Sequence, residues 1–321
     1  MKVVIDTDPG GDDAIALMWL ASLCHQGRLQ LSSVTTAAGN VGAEITWRNA
    51  CGLLGLCDIR QVPVGIGEAV AATRDAAEIH GEDGLGGLSG ALPEPPTHTL
   101  KPGSVDLLTT ELGDTSKAPS LLAVAPLSNL AGAETSAPGI LHTASQIIIM
   151  GGALSGGNVT PAAEFNFFFD PSAAAAVLAA SDRIKLVTLE TSSGLMLDRD
   201  LAMQITSGFD ALPAARFFRE LCAFMATREA VFSGRSTVTG FPVHDAATVA
   251  WLAYPELFEM QKLRVSVDTG KGDARGQLQE TDGPHAVECN IATRVDAPAL
   301  LATMGRDLRM LFEQLSMHAS Q

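Results

Sequence analysis

Short apolar runs alternate with longer segments of helical periodicity along most of this chain. Strand-like runs lie near Lys2 to Asp6, Leu29 to Thr36, Val62 to Ile66, Leu121 to Ala125, Gln146 to Met150 and Ile184 to Leu189. Helix-like segments lie near Asp13 to Cys24, Ala43 to Leu54, Val105 to Leu112, Pro171 to Ala180, Leu201 to Ser207, Pro213 to Val231, His244 to Ala253 and Asp296 to Gln314. Apolar strands separated by helices predict an α/β fold with a mostly parallel central sheet flanked by helices. After about Ser193 the alternation loosens, and Val265 to Asp268 and His285 to Cys289 are expected to pair antiparallel. The Pro-rich stretch Leu92 to His98 reads as a surface loop rather than a linker, so residues 1–321 are expected to form a single domain. In such sheets ligands bind outside the carboxyl ends of the strands. Polar residues that follow strands are therefore the ones to weigh.

Composition narrows the class. The chain has 321 residues, of which 46% are hydrophobic and 18% charged, enough for a large core. A net charge of −15 argues against a nucleic-acid or anionic-membrane partner and leaves room for a neutral small molecule. Cys24, Cys51, Cys57, Cys222 and Cys289 are scattered, with no CxxC and no paired spacing with His. They read as core thiols in a reducing compartment. The chain enters a strand pattern at once, with no basic and apolar leader, and no apolar run reaches the length of a membrane span. A cytoplasmic location is expected.

The densest chemistry lies at the start, in Val3-Val4-Ile5-Asp6-Thr7-Asp8-Pro9-Gly10-Gly11-Asp12-Asp13-Ala14. Asp6 and Asp8 are two apart, which puts them on one face of an extended strand. Pro9-Gly10-Gly11 turns the chain, and Asp12 and Asp13 open a helix. Acidic residues suit a helix N-terminus, which accounts for one of these aspartates or two. It does not account for four carboxylates that repel one another. A cation or a polyhydroxyl ligand does.

Asp-Thr-Asp-Pro-Gly-Gly-Asp-Asp-Ala after an N-terminal strand resembles the opening motif of the nucleoside hydrolases, calcium-dependent enzymes that cleave ribonucleosides to ribose and free base. Further segments fall in the family's order. Val34 to Asn40 carries a strand into a Gly-Asn turn; such turns are common, and the resemblance makes Asn40 a candidate contact for the ribose and the attacking water. Leu122 to Leu130 ends a strand before a helix, and the resemblance assigns the Val124 backbone carbonyl to the metal. Gly157-Asn158 followed by Ala163-Glu164-Phe165-Asn166 is similar to a second hallmark. Glu164 and Asn166 alternate and are expected to face one cavity, with Phe165 opposite or at its wall. The resemblance implies that Asn158, Glu164 and Asn166 hold ribose hydroxyls. His244-Asp245 at a helix start is similar to a third hallmark, with Asp245 a metal ligand and His244 beside the leaving base. His80, in the Gly-rich loop Ile79 to Gly87, is a second leaving-group candidate.

The resemblance covers roughly the first four-fifths of the chain and implies one mechanism. Calcium, a hard cation, would be held by Asp8, Asp13, Asp245 and the Val124 carbonyl. Asp8 would take a proton from water, while Asp12, Asn40, Asn158, Glu164 and Asn166 hold the sugar. Asp6 would orient its neighbours, and His244 or His80 would protonate the base. Some family members meet the base with a tyrosine from a mobile loop. The only tyrosine here is Tyr254, beyond the His-Asp helix, and the stretch Arg228 to Gly240 offers Phe232, Arg235, Ser236 and Thr239 instead. His244 points to the inosine–uridine or pyrimidine groups, with inosine, uridine or cytidine as substrates. Relatives are commonly homodimers or homotetramers. Two rivals are a ribose- or nucleoside-binding protein without turnover, and a magnesium-dependent phosphohydrolase using Asp6 and Asp8.

Overall fold

The computed structural model describes residues 1–68, 75–95, 100–114, 116, 118–234 and 239–319. Its strands are β1 (Lys2–Thr7), β2 (Gln30–Thr36), β3 (Val64–Gly65), β4 (Ser120–Ala123), β5 (Gln146–Met150), β6 (Ile184–Val187), β7 (Met196–Asp198), β8 (Gly240–Pro242), β9 (Phe258–Val267), β10 (Leu278–Glu280) and β11 (Val287–Val295). The helices are α1 (Gly11–His25), α2 (Ala43–Leu56), α3 (Ala77–His80), α4 (Ser104–Gly113), α5 (Ser128–Ser136), α6 (Phe165–Phe169), α7 (Pro171–Ala180), α8 (Leu189–Ser192), α9 (Arg199–Thr206), α10 (Pro213–Phe232), α11 (Ala246–Ala253) and α12 (Ala297–Ala319).

Nine strands make one sheet, in the order β10-β9-β11-β6-β5-β4-β1-β2-β3. Neighbours run parallel from β3 through β11, and β9 and β10 add an antiparallel edge. The expected α/β architecture is therefore present. Alternate residues feed two cores. Val3, Ile5, Leu122 and Ile148 face one, and Val4, Leu121, Ile147 and Ile149 face the other. That is why these strands read as unbroken apolar runs: helices cover both faces.

Helix α1 is buried on every side from Ala14 to Leu23, packed against α2, α10, α11 and α12. A helix apolar all round belongs inside a protein. It rises directly from the end of the central strand β1, so whatever sits at its N-terminus is held between sheet and core. The chain runs from β1 to β2 and β3 on one side, then crosses to β4, β5 and β6 on the other. Strand order thus reverses between β1 and β4, the place where open α/β sheets hold ligands.

Two expectations need correction. The C-terminal antiparallel pair exists, with Val265 opposite Val287, but its strands are much longer than the Val265 to Asp268 and His285 to Cys289 segments. The front of β9, Phe258 to Leu263, is mostly exposed and mixes Glu259, Gln261 and Lys262 with Phe258, Met260 and Leu263, so it carries no continuous apolar run. The Glu164 to Asn166 segment is not extended. Glu164 is the N-cap of α6, and Phe165 and Asn166 open that helix. Of the stretch Leu92 to His98, residues 96–98 lie outside the described residues, as do Arg235 and Ser236. No helix among the described residues is long and apolar enough to cross a membrane. All five cysteines are free, and Cys57, Cys222 and Cys289 are buried.

Candidate active site

The four N-terminal aspartates separate into distinct surroundings. Asp6 sits inside β1, fully buried, and its Oδ1 accepts from Thr35 Oγ1 at 2.6 Å and Asn129 Nδ2 at 2.8 Å. Asn129 also donates to the Thr36 carbonyl at 2.9 Å, so Asp6 ties β1, β2 and α5 together behind the site. Burial raises Asp6 to about 7, against the pull of these hydrogen bonds. Asp13, in the first turn of α1, reaches back over the turn. It accepts from Thr7 Oγ1 at 2.5 Å, Gly10 N at 3.0 Å, Asp8 N at 3.2 Å and Asn40 Nδ2 at 3.0 Å. This is the reciprocal half of a helix cap, so the structural reading of an acidic first turn holds for Asp13.

Asp8 and Asp12 look the other way, into a cavity of about 360 Å³ at the strand ends. Asp8 Oδ2 accepts from the Asn40 backbone N at 2.7 Å, while its Oδ1 is buried with no hydrogen-bond partner. Asp245 starts α11 yet makes no side-chain cap bond, so capping does not explain it. Instead, ligand oxygens of Asp12, Asp13 and Asp245 all lie within 4.8 Å of one another. Burial, then the charge of Asp13, holds Asp8 well above the usual carboxylate range. Burial and Asp13 bring Asp12 to about 7, and burial followed by Asp12 drives Asp245 well up.

Crowded, buried carboxylates with an orphaned oxygen need protons or a cation. No Lys or Arg lines the cavity among the described residues. An all-oxygen donor set fits a hard divalent ion. The closest oxygen group contains Asp12, whereas the sequence expectation combined Asp8, Asp13, the Val124 carbonyl and Asp245. Val124, which follows β4, does line the cavity, and its carbonyl accepts from Asn166 Nδ2 at 3.2 Å.

The sugar-binding candidates converge on the same space. Asn40, Asn158, Glu164, Phe165 and Asn166 all line it. Glu164 is already engaged by backbone amides. Its carboxylate accepts from Gly152 N at 2.9 Å, Asn166 N at 2.9 Å and Phe167 N at 3.2 Å. Four lone-pair directions less three leave one for a ligand. Asn158 is exposed and uses its Oδ1 to accept from Phe165 N at 3.0 Å. Asn166 donates to both the Val124 and Met150 carbonyls at 3.2 Å, stitching β4 to β5.

Both histidines stand at the cavity wall. His80 Nδ1 accepts from Gly11 N at 2.9 Å, satisfying a free amide at the N-terminus of α1. Since Nδ1 must be unprotonated, the neutral ring carries its proton on Nε2. Burial, then neighbouring His244, lowers His80 to about 4. Burial also lowers His244 to about 4, and its Nδ1 lies 2.8 Å from Ser192 Oγ. Tyr254 is elsewhere: it stacks on Trp19 at 6.2 Å and its hydroxyl donates to Asp307 at 2.5 Å. Thr239 does not line the cavity, but Phe232 and Ser233 do.

Several supporting residues carried little signal. Asn49 on α2 donates to the Pro9 carbonyl at 3.1 Å and to the Asp83 carbonyl at 2.8 Å, joining the aspartate turn to the His80 loop. Asp83 Oδ atoms accept from Leu85, Gly87 and Ser89 amides at 3.0, 2.8 and 2.9 Å and so shape that loop. Asn129 and Ser192 were equally silent, as single polar residues in apolar segments. The glycines did carry signal. A Cβ on Gly39 would lie 2.1 Å from Asp8 Oδ2, and one on Gly10 would lie 2.7 Å from both Asn40 Nδ2 and His80 Nδ1.

Residues 3–302 match the family described as inosine-uridine preferring nucleoside hydrolase. The chain belongs to that family. It is 36% identical over 276 residues to the pyrimidine-specific ribonucleoside hydrolase RihA of Shewanella baltica, covering 83% of this chain and 82% of that one. It is 31% identical over 303 residues to the non-specific ribonucleoside hydrolase RihC of Escherichia coli, covering 92% and 93%. Among solved structures, the plant nucleoside hydrolase PpNRh1 superposes with a TM-score of 0.87 at 26% identity, over 96% of this chain and 98% of that one. As a nucleoside hydrolase family member, the chain is a hydrolase acting on N-glycosyl compounds.

Proposed function

We propose that this protein is a calcium-dependent hydrolase of neutral ribonucleosides, of the inosine, uridine and cytidine type. The observation that carries the reading is the buried oxygen cluster of Asp12, Asp13 and Asp245 at the reversal of strand order, with the unpartnered Asp8 Oδ1 beside a cavity without a lining cation among the described residues. Such a wall repels a substrate phosphate and accepts a neutral diol-bearing ligand on a divalent ion. Inosine and uridine appear in the family's description, and pyrimidine nucleosides in the name of RihA. Asp8, Asp12, Asp13, Asp245 and the Val124 carbonyl are the candidate ligands for calcium, the acidic first turn of α1 contributing both Asp12 and Asp13. When bound, the ion supplies Lewis acidity and an anchor for ribose hydroxyls.

The chain's own groups divide the remaining work. Asp8 Oδ1, buried and without a partner, accepts a proton from the water that adds to the anomeric carbon. As that carbon–oxygen bond forms, the carbon–nitrogen bond breaks and its electron pair leaves with the base. Asn40, Asn158, Asn166 and the remaining Glu164 lone pair hold the sugar hydroxyls, and the aspartates oppose the positive charge that builds on the ring. His80 presents Nε2–H, so it aids departure by hydrogen-bond donation from a neutral ring rather than as an imidazolium. His244 lies across from it, and the proton finally reaching the base comes through one of these or from solvent.

The phosphohydrolase alternative sits poorly with Asp6, which is fully buried, bonded to Thr35 and Asn129, and absent from the cavity lining. We place the activity in one catalytic domain spanning residues 1–321, in the cytoplasm, and in a homodimer or homotetramer. Release of ribose from inosine, uridine, cytidine and adenosine, with calcium and after chelation, tests the function. Calcium-dependent release from the first three is expected. Ligand binding without any release would instead leave a binding protein.

A further inference from the structure

We propose that Glu229 determines base preference by accepting a hydrogen bond from an N–H group on the far edge of the nucleobase. This rests on the ribonucleoside reading above and extends it to the recognition of the base.

Met225, Glu229 and Phe232 are spaced four and three apart on α10, so they share one face of that helix, and all three line the cavity with the C-cap Ser233. The sugar candidates Asn40, Asn158, Glu164 and Asn166 line the same cavity. The α10 face is held in place at its base, because a Cβ on Gly11 would lie 2.4 Å from Met225 Sδ; α10 packs directly on the start of α1. The wall is otherwise apolar there, with Ile79 joining Met225 and Phe232. A planar heterocycle fits such a wall by its faces, and its polar edge then needs a partner.

Among the described residues, Glu229 is the one carboxylate of the cavity that belongs neither to the aspartate cluster nor to the α6 cap. It is half-buried and makes no ion pair or side-chain hydrogen bond among the described residues. Neighbouring Arg228 forms no ion pair with it among the described residues: the Arg228 Nε is buried without a hydrogen-bond partner, and the guanidinium carbon lies 5.7 Å from the Phe232 ring centre. Ser233 Oγ is also spoken for, donating at 2.8 Å to the Glu229 backbone carbonyl rather than to its carboxylate. Burial raises the Glu229 carboxyl, as expected for an acid left without a donor. Uracil N3–H, cytosine N4–H and hypoxanthine N1–H are all donors lying away from the glycosidic bond. A carboxylate acceptor rewards each of them and rejects a base whose donor has been methylated.

The test pairs uridine with 3-methyluridine, and inosine with 1-methylinosine, on wild-type protein, Glu229→Gln and Glu229→Ala. Ribose release gives kcat/KM. Binding of the same pairs to an Asp8→Asn background, slow in turnover, gives Kd. Wild type should prefer the unmethylated member by on the order of 100-fold. Glu229→Gln keeps the size of the side chain but loses its charge, so that preference should fall about tenfold, mostly through KM and Kd. Glu229→Ala should abolish it. An unchanged ratio in Glu229→Gln would mean that space alone excludes the methyl group, and would overturn the proposal. Absence of ribose release from wild type would count against the hydrolase reading, while the Kd ratios still decide the part of Glu229.

Discussion

At the scale of single residues, the site is built from acids that the fold keeps in unequal states. Asp13 accepts from Thr7, Asp8, Gly10 and Asn40, whereas Asp8 keeps one oxygen without a partner. Two aspartates five positions apart thus differ in what they leave open: Asp13 braces the turn, and Asp8 keeps an oxygen for a ligand. Asp8→Ala should lower kcat by about a thousandfold or more, since it removes both the proton acceptor and a candidate metal ligand. It should leave the thermal midpoint near that of wild type or above it in the absence of metal, because it deletes a buried carboxylate whose charge is unfavourable. Near-normal turnover in a folded variant would remove Asp8 from the mechanism. The aspartates were legible in the sequence because four carboxylates after a strand have few structural explanations. Glu229 was not: one acidic residue on a long amphipathic helix looks like any solvated position until the helix face it occupies is known.

At the scale of elements, the β1–turn–α1 unit shows why part of the fold was readable and part was not. The apolar run Val3-Val4-Ile5, a Pro-Gly-Gly turn and an apolar helical segment each have one simple interpretation, and β1 and α1 follow them. Glu164 to Asn166 misled for a physical reason. Glu164 and Asn166 alternate, and aromatic residues have modest helix propensity, so nothing in the segment signals a helix, yet Glu164 caps it through two backbone amides and starts α6. The β7–β8 ladder also escaped notice, because its strands are three residues each. It pairs Leu197 with Phe241 and so positions the segment leading to His244 and Asp245. The turn itself is sterically set. In Gly10→Ala the added methyl must displace Asn40 or His80, each 2.7 Å away. We expect kcat/KM to drop at least about tenfold, and calcium affinity to weaken, with circular dichroism unchanged. Wild-type kinetics would show that the His80–Gly11 contact is dispensable.

At the scale of the whole molecule, the balance of buried charge makes stability depend on pH and metal together. Asp6 and Asp12 titrate at about 7 in the folded metal-free protein, and Asp8 and Asp245 are held well above the usual carboxylate range, all driven first by burial. In the unfolded chain an aspartate titrates near 4. The folded state therefore holds extra protons between these values, and stability present at low pH is lost as pH rises through the folded pKa. His80 and His244 act in the opposite sense. Lowered to about 4, they stay neutral while unfolded histidines charge below 6.5, so stability is gained as pH rises from about 4 to 6.5. Below pH 6.5 the two effects oppose each other; above it only the carboxylates remain. Each group titrating near 7 removes roughly 1 kcal/mol between pH 6.5 and 8. The thermal midpoint of chelated protein should thus fall over that interval, and calcium should raise it most at pH 8, where the carboxylates are ionised and bind best. Scanning calorimetry at pH 6.5, 7.25 and 8, with chelator and with calcium, checks this. A chelated midpoint that stays level or climbs across the interval would mean that the aspartates are ionised without an ion, and that cations already in the fold neutralise them.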